Sequence, residues 1–371
     1  MGMILQSTEG NAMEPYWEWF CSIPGIYRTQ REVLLHCFQN PRKVWEASAE
    51  ELTFLRDRGC RWVQKVIDYK QKHTPAEIVQ VQSSMGIQFI SAVQEDYPRR
   101  LEPLRDRPYG LFLRGELPSE NVRSVAIVGA RMCTPGGRAM AEAIAREVVH
   151  CGGVIVSGAA YGIDGAAQWA ALEENGKSYA VLGCGVDVCY PASHQQLFSR
   201  LAKNGGLISE FPAGTKAMPT HFPMRNRIIS GLADVVVVVE ARKKSGSLIT
   251  AEFALDQGRQ VYAVPGRPDD ELSYGCNELI SQGAGLILSV EEFTESVFPE
   301  RKRQPKKTMA NIPLAPTEKL VYSKVGLHGK SLWELQENTA LSLSDLCDSL
   351  LSLELKGLIK ETEQNFYVKM K

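Results

Sequence analysis

The chain has 371 residues, of which 44% are hydrophobic and 23% charged, and its formal net charge is −1. The length exceeds one ordinary domain and predicts two or three. The balanced charge excludes a polycationic coat for nucleic acid, so any such contact needs a local basic patch.

The nine cysteines (Cys21, Cys37, Cys60, Cys133, Cys151, Cys184, Cys189, Cys276 and Cys347) are scattered and include no C-x-x-C pair. That pattern fits reduced thiols rather than a disulfide framework. Cys184 and Cys189 have no second pair to complete a metal site, so no metal is expected. The N-terminus lacks a basic region followed by a long apolar stretch. The longest aliphatic run, residues 235–239, is far too short to span a bilayer. A cytoplasmic protein without membrane contact is expected. The stretch before Met13 reads as unstructured, which makes Met13 a second candidate start.

Residues 14–80 read as a domain of short helices. Ile23-Pro24-Gly25-Ile26 is a tight turn, and Leu34, Leu35 and Phe38 follow at helical spacing. Ser48-Ala49-Glu50-Glu51 opens a further helix with a capping-type start. The turn is similar to a helix-hairpin-helix (SAM-like) element, whose amides hold a DNA phosphate. A plain helical packing module is the preferred reading.

Residues 85–298 read as the main domain. Strands around a turn are predicted within 87–117. From residue 125 the rhythm becomes strand, glycine, helix, with strands at 125–128, 154–156, 179–182, 207–209, 235–239, 261–264 and 286–288. Strands this apolar are buried on both faces, which predicts an α/β fold with a parallel sheet wrapped by helices. A basic linker at 299–314 reads as a solvated tether. Residues 315–371 read as three helices and a hairpin, the order of a winged helix.

The predicted chemistry lies at the carboxyl ends of the central strands. Gly129-Ala130-Arg131 precedes Thr134-Pro135, a cap and a first helical residue. A strand feeding a helix start is a ready anion site, and Arg131 adds a fork suited to phosphate. Arg131 stands where a dinucleotide fingerprint needs its second glycine, and Ser157-Gly158 replaces the acid that would hold a ribose. A nicotinamide-dependent enzyme is therefore excluded, and with no G-x-x-x-x-G-K-[ST] so is a P-loop ATPase. No cofactor is expected.

Further turns carry Ser157, Gly158 and Gly162 before Asp164, and Gly183 before Asp187. The two aspartates are predicted to orient loops by accepting backbone N–H bonds. The run 209–231 places Lys216, Phe222, Arg225, Asn226 and Arg227 together, cations interleaved with an aromatic face as a single-strand surface requires. The competing reading pairs the arginines with carboxylates such as Glu210 and Glu240. Lys244, Ser245, Gly246, Ser247 and Thr250 open another helix and form a second anion cradle. Two helix starts with Arg131, Arg225 and Arg227 predict one phosphate-tracking groove.

These ordered motifs, with Ser209-Glu210-Phe211-Pro212, Tyr190-Pro191 and Pro265-Gly266-Arg267, resemble the DNA-processing protein A (DprA/Smf) family over residues 14–371. The resemblance implies an extended Rossmann-like core that dimerises and binds single-stranded DNA. It also implies protection of incoming strands and loading of the RecA recombinase in natural transformation, with no required catalytic step. One departure is Ala130, where the family commonly has serine, so a hydroxyl contact to phosphate is lost.

Two other readings compete. Ser247, Thr250 and Glu252 mimic a nucleotide N-glycosidase of the lysine-decarboxylase-like (LOG) type, although its glycine doublet is replaced by Ser245-Gly246-Ser247. A sequence-specific regulator would read duplex DNA through the C-terminal domain. Its candidate recognition helix, residues 344–356, carries Asp345, Asp348 and Glu354 against Lys356, so a protein-facing or regulatory role is expected instead.

Overall fold

A computed structural model of the chain describes residues 7–300, 314–326, 329–363 and 365–369. The chain divides into two compact units, residues 1–301 and 302–371. Most of the expected linker at 299–314 lies outside the described residues.

The first unit begins with six helices: α1 (Ser7–Ser22), α2 (Arg28–Phe38), α3 (Pro41–Glu46), α4 (Ala49–Asp57), α5 (Val63–Lys72) and α6 (Pro75–Ser84). Helix α1 starts ahead of Met13, against the expectation of an unstructured lead-in. It is anchored by Trp19 and Phe20, which are fully buried with Ile23, Leu34, Val44 and Val66. Local signals fix the helix starts. Asn40, Ser48 and Thr74 each accept a backbone N–H of the first turn, and Glu51 and Glu77 reciprocate at Ser48 and Thr74. These helices pack directly on the sheet edge. Trp17 of α1 stacks on Tyr109, with ring centroids 6.1 Å apart, and Cys21 joins the sheet-edge core of Phe89 and Phe112.

Glu18 of α1 is buried, and that burial, reinforced by the charge of Glu14, pushes its carboxyl up from 4.5 to about 7. A raised acid binds its proton more tightly folded than unfolded. Its contribution is therefore complete below pH 4.5 and is lost as pH climbs to about 7. Glu18→Gln should thus raise the melting temperature at about pH 8 and leave it nearly unchanged at about pH 4.5, a difference on the order of 2 kcal/mol. Equal effects at both pH values would refute this account.

The sheet and its flanking helices make up the rest of this unit. Their chain order is β1 (Gln88–Ser91), β2 (Gly110–Gly115), β3 (Ser124–Val128), α7 (Pro135–His150), β4 (Val154–Ser157), α8 (Ile163–Glu173), β5 (Ser178–Leu182), α9 (Gln195–Lys203) and β6 (Gly205–Ser209). Then come α10 (His221–Leu232), β7 (Val235–Val238), α11 (Gly246–Asp256), β8 (Gln260–Ala263), α12 (Tyr274–Ser281), β9 (Gly285–Leu286) and α13 (Val290–Val297). The nine strands lie in the order β1-β2-β6-β5-β4-β3-β7-β8-β9. From β6 to β9 all neighbours are parallel, while β2 runs antiparallel to both β6 and β1.

Both faces of the sheet are covered, as the unbroken apolar strands require. Along β3 and β7, Ala126, Val128, Val236 and Val238 enter one core, and Val125, Ile127, Val235 and Val237 enter the other. The chain proceeds from β3 through β4 and β5 to β6 on one side, then returns to place β7 on the other side of β3. That reversal opens a crevice at the carboxyl ends of β3 and β7, the usual ligand position of such sheets.

The second unit comprises α14 (Pro316–Lys324), β10 (Lys330–Ser331), α15 (Leu332–Thr339), α16 (Leu343–Leu355), β11 (Ile359–Glu363) and β12 (Phe366–Lys369). Its strands form an antiparallel sheet in the order β10-β12-β11. Leu346, Leu350 and Leu353 of α16 pack with Val321 and Leu335. Among the described residues, no helix is long and apolar enough to cross a membrane and no cluster could hold a metal ion.

Candidate functional site

The crevice between β3 and β7 is a cleft of about 440 Å³. It gathers Gly129, Arg131, Phe222, Arg225, Asn226, Ser245, Gly246, Ser247 and Thr250 from the predicted set. Ser157, Gly158, Gly162, Gly183, Lys216, Arg227 and Lys244 do not line it.

Helix α11 presents its N-terminus here, and α10 runs along the cleft from Phe222 to Ile229. Ser245 caps α11 by accepting the Ser247 N–H, and its hydroxyl lies 2.7 Å from that of Ser247. Asn226, in the middle of α10, donates its side-chain N–H to the Gly246 carbonyl at 3.0 Å, so α10 is tied to the start of α11. Lys244, immediately before the cap, and Lys216, in the loop before α10, are both exposed.

Phe222, half-buried, forms the aromatic part of the cleft. The exposed Arg131 guanidinium lies 5.2 Å from its ring centroid, within cation–π range. Tyr190 stands 5.5 Å away on a tilted ring. The sequence offers Tyr190 only as part of a motif. Its place beside an aromatic in the same crevice is what makes it part of this site.

Arg225 is placed differently from a surface phosphate ligand. Only 4% of it is exposed. Its Nη1 donates to the Gly158 carbonyl at 2.9 Å and to the Val181 carbonyl, tying the ends of β4 and β5. Burial pulls the guanidinium down to about 10, against the favourable charge of Asp164. Asp164 is buried beside it and accepts the Gly158 N–H at 3.1 Å. Burial raises the Asp164 carboxyl, while Arg225 and these hydrogen bonds pull it back. Asp187 likewise accepts the Gly214 N–H at 2.9 Å. Both aspartates therefore orient loops in the manner their positions predict.

Several residues expected at phosphate instead hold the site together. Ser157 donates its hydroxyl to the Ile127 carbonyl at 2.6 Å. A side chain at Gly158 would meet Arg225 Nη1 at 2.5 Å, so this glycine makes room for the guanidinium rather than for a ligand. Gly162 sits at φ +74°, packed against the backbone of Ala130. The Gly183 carbonyl lies 3.1 Å from His221 Nδ1.

Two features narrow the groove expected from the sequence. Arg227 faces away from this cleft, and its charge is taken up by Asp106 at 3.2 Å and Glu210 at 2.6 Å. Pairing with Glu210 is the competing reading, and it holds for this arginine. The start of α7 is also not an open anion site. Glu240, at the end of β7, accepts the Thr134 N–H at 2.9 Å and the Thr134 hydroxyl. Thr134 in turn caps α7 by accepting the Gly137 N–H at 2.9 Å. The positive end of α7 is thus filled by a carboxylate of the chain itself.

A profile of the family described as DNA recombination-mediator protein A matches residues 88–298. Protein Smf of Synechocystis sp. is 31% identical over 387 aligned residues, spanning 95% of this chain and 97% of that protein. The X-ray structure of DNA processing protein A from Streptococcus pneumoniae covers 75% of this chain and 96% of its own, with a TM-score of 0.64 and 34% identity. DNA processing protein A from Helicobacter pylori, whose structure is described as giving insight into a unique single-stranded DNA binding mode, reaches a TM-score of 0.52 at 30% identity. It covers 57% of this chain and 97% of its own.

Proposed function

Because this chain belongs to the DNA recombination-mediator protein A family, we propose that it binds single-stranded DNA in the cleft between β3 and β7, with no catalytic step. One observation carries the reading. An exposed guanidinium lies beside an aromatic ring next to the capped start of α11, which Asn226 of α10 ties in place. Bases stack on Phe222, while Arg131, Lys244 and the amides after Ser245 meet phosphates. The Helicobacter pylori relative, described in terms of single-stranded DNA, supports that ligand.

The strand is protected here and passed to the RecA recombinase by a homodimer in the cytoplasm. Residues 315–371 act as a winged helix whose acidic α16 meets protein rather than duplex DNA. The glycosidase alternative needs Glu252 in the cleft. Glu252 is exposed and does not line it, which favours a binding role.

A mobility shift comparing single-stranded with duplex DNA, with and without competing mononucleotide, tests the ligand. Preference for duplex, or release of free base from a nucleoside monophosphate, would overturn the reading. Arg131→Ala should weaken binding equally for all sequences, because phosphate contacts carry no base information. It should also reduce the magnitude of the salt slope by roughly 0.7, the single-strand value per phosphate. An unchanged slope in a titration against salt would remove Arg131 from the site.

A further inference from the structure

Tyr161 stands at the edge of the cleft without lining it, and 49% of it is exposed. It follows Ala160, a lining residue, in the loop between β4 and α8. The next residue, Gly162, packs on the backbone of Ala130 and Arg131, and the Ile163 N–H donates to the Ala130 carbonyl at 3.2 Å. Tyr161 is thus set beside the turn that bears Arg131, whose guanidinium reaches the Phe222 ring.

A single exposed aromatic is ordinary on a protein surface. This one is held in two ways. Ser193 donates its hydroxyl to the Tyr161 hydroxyl at 2.9 Å. The His194 ring meets the Tyr161 ring edge to face, with centroids 5.1 Å apart and planes at 77°. His194 is itself fixed, because its Nδ1 lies 3.1 Å from the Ala159 carbonyl and a side chain at Gly165 would meet its ring at 2.9 Å. Ser193 and His194 follow Tyr190, which lines the cleft. Two loops that both start at the cleft wall therefore clamp one half-exposed ring. A ring fixed in advance gives up little side-chain freedom when a ligand arrives.

Charge selects the ligand. The segments 129–138, 157–163 and 188–196, which meet around Tyr161, contain Arg131 and Arg138 and no acidic residue. The nearest acids are occupied: Asp164 is buried beside Arg225, and Asp187 accepts the Gly214 N–H. β8 lies on the opposite side of β3 and β7 from β4. The segment after β8 sets Asp269, Asp270 and Glu271 against Arg267, and Glu271 also draws Arg242 at 3.7 Å. The β4 side is thus free of the acids that a polyanion meets on the β8 side.

We propose that Tyr161 is a second stacking platform, taking the base of a nucleotide next along the strand from the one on Phe222. The strand then leaves the cleft over the loop between β4 and α8. Every base has a π-face, so this platform is tolerant of sequence. The inference rests on the single-strand reading above and deepens it by giving the strand a path.

The test uses the full chain and an oligothymidylate of about 16 nucleotides, within the range of single-strand site sizes. The strand carries 5-iodouracil and is irradiated, and the cross-links are mapped by mass spectrometry. Cross-links are expected at Tyr161 as well as at Phe222 or Tyr190. Tyr161→Ala should lower strand affinity about fivefold to a hundredfold, the range for one stacked base. Its salt slope should stay that of the parent, because no phosphate contact is lost. Tyr161→Phe keeps the ring and should bind nearly as the parent does. Cross-links that never reach Tyr161, with parental affinity in Tyr161→Ala, would overturn the proposal. Equal losses in Tyr161→Ala and Tyr161→Phe would also overturn it, by assigning the effect to the Ser193 bridge. If Tyr161→Ala does not fold, the cross-link map of the parent decides. A parent that binds no single strand would instead defeat the single-strand reading, and this one with it.

Discussion

Arg225→Ala should destabilise the fold by about 3–5 kcal/mol, the cost of breaking a buried ionic contact from one side. The side chain is buried and holds the carbonyls of Gly158 and Val181, with Asp164 alongside. Its removal strands two acceptors and leaves a buried carboxyl without its countercharge. Natural domains hold only about 5–15 kcal/mol in all, so the loss is a large share of stability. Arg225→Lys should rescue little, because an ammonium does not fill the space beside Gly158 that the planar guanidinium occupies. Urea titration separates the roles. A midpoint like the parent's, with strand binding alone weakened, would mean that Arg225 touches the ligand after all.

Phe222→Ala should weaken strand binding by about 1–3 kcal/mol, the worth of one stacked base. Here the ring is half-buried, with Arg131 at 5.2 Å and Arg225 at 5.9 Å from its centroid. The ring lines the cleft and packs beside Gly183 and Tyr190. The melting temperature should therefore fall only slightly. A large fall, with the folded fraction binding as the parent does, would make Phe222 a core residue and move the stacking platform elsewhere.

What could be read from the sequence divides along the distance between partners. The run at 235–239 announces a strand buried on both faces because its apolarity is continuous, and its residues alternate between two cores as found. Thr134-Pro135 announces a helix start because cap and first turn are adjacent in the chain. Asp164 is legible as a loop orienter because Gly158 is only six residues away. The acid filling the start of α7 is 106 residues from Thr134. The two partners of Arg227 lie on separate segments, at Asp106 and Glu210. No local pattern says which of several cations beside an aromatic turns inward. Arg225 and Arg227 follow the same rhythm as Arg131, and only the packing of α10 against the sheet distinguishes them.

The internal carboxylate at the start of α7 also bears on how occupancy depends on the length of the ligand. With that helix end closed and Arg225 and Arg227 turned inward, Arg131 is the exposed arginine of the predicted set. A lone phosphate or a free mononucleotide then meets too few contacts to repay its lost translational freedom. A longer strand bound at one point holds its remaining nucleotides near Lys216, Lys244 and any neighbouring copy at high effective concentration. Affinity should therefore climb steeply with the number of nucleotides and fall quickly when the strand is cut. Such a grip suits a carrier that must ignore the nucleotide pool and still release its cargo piecemeal.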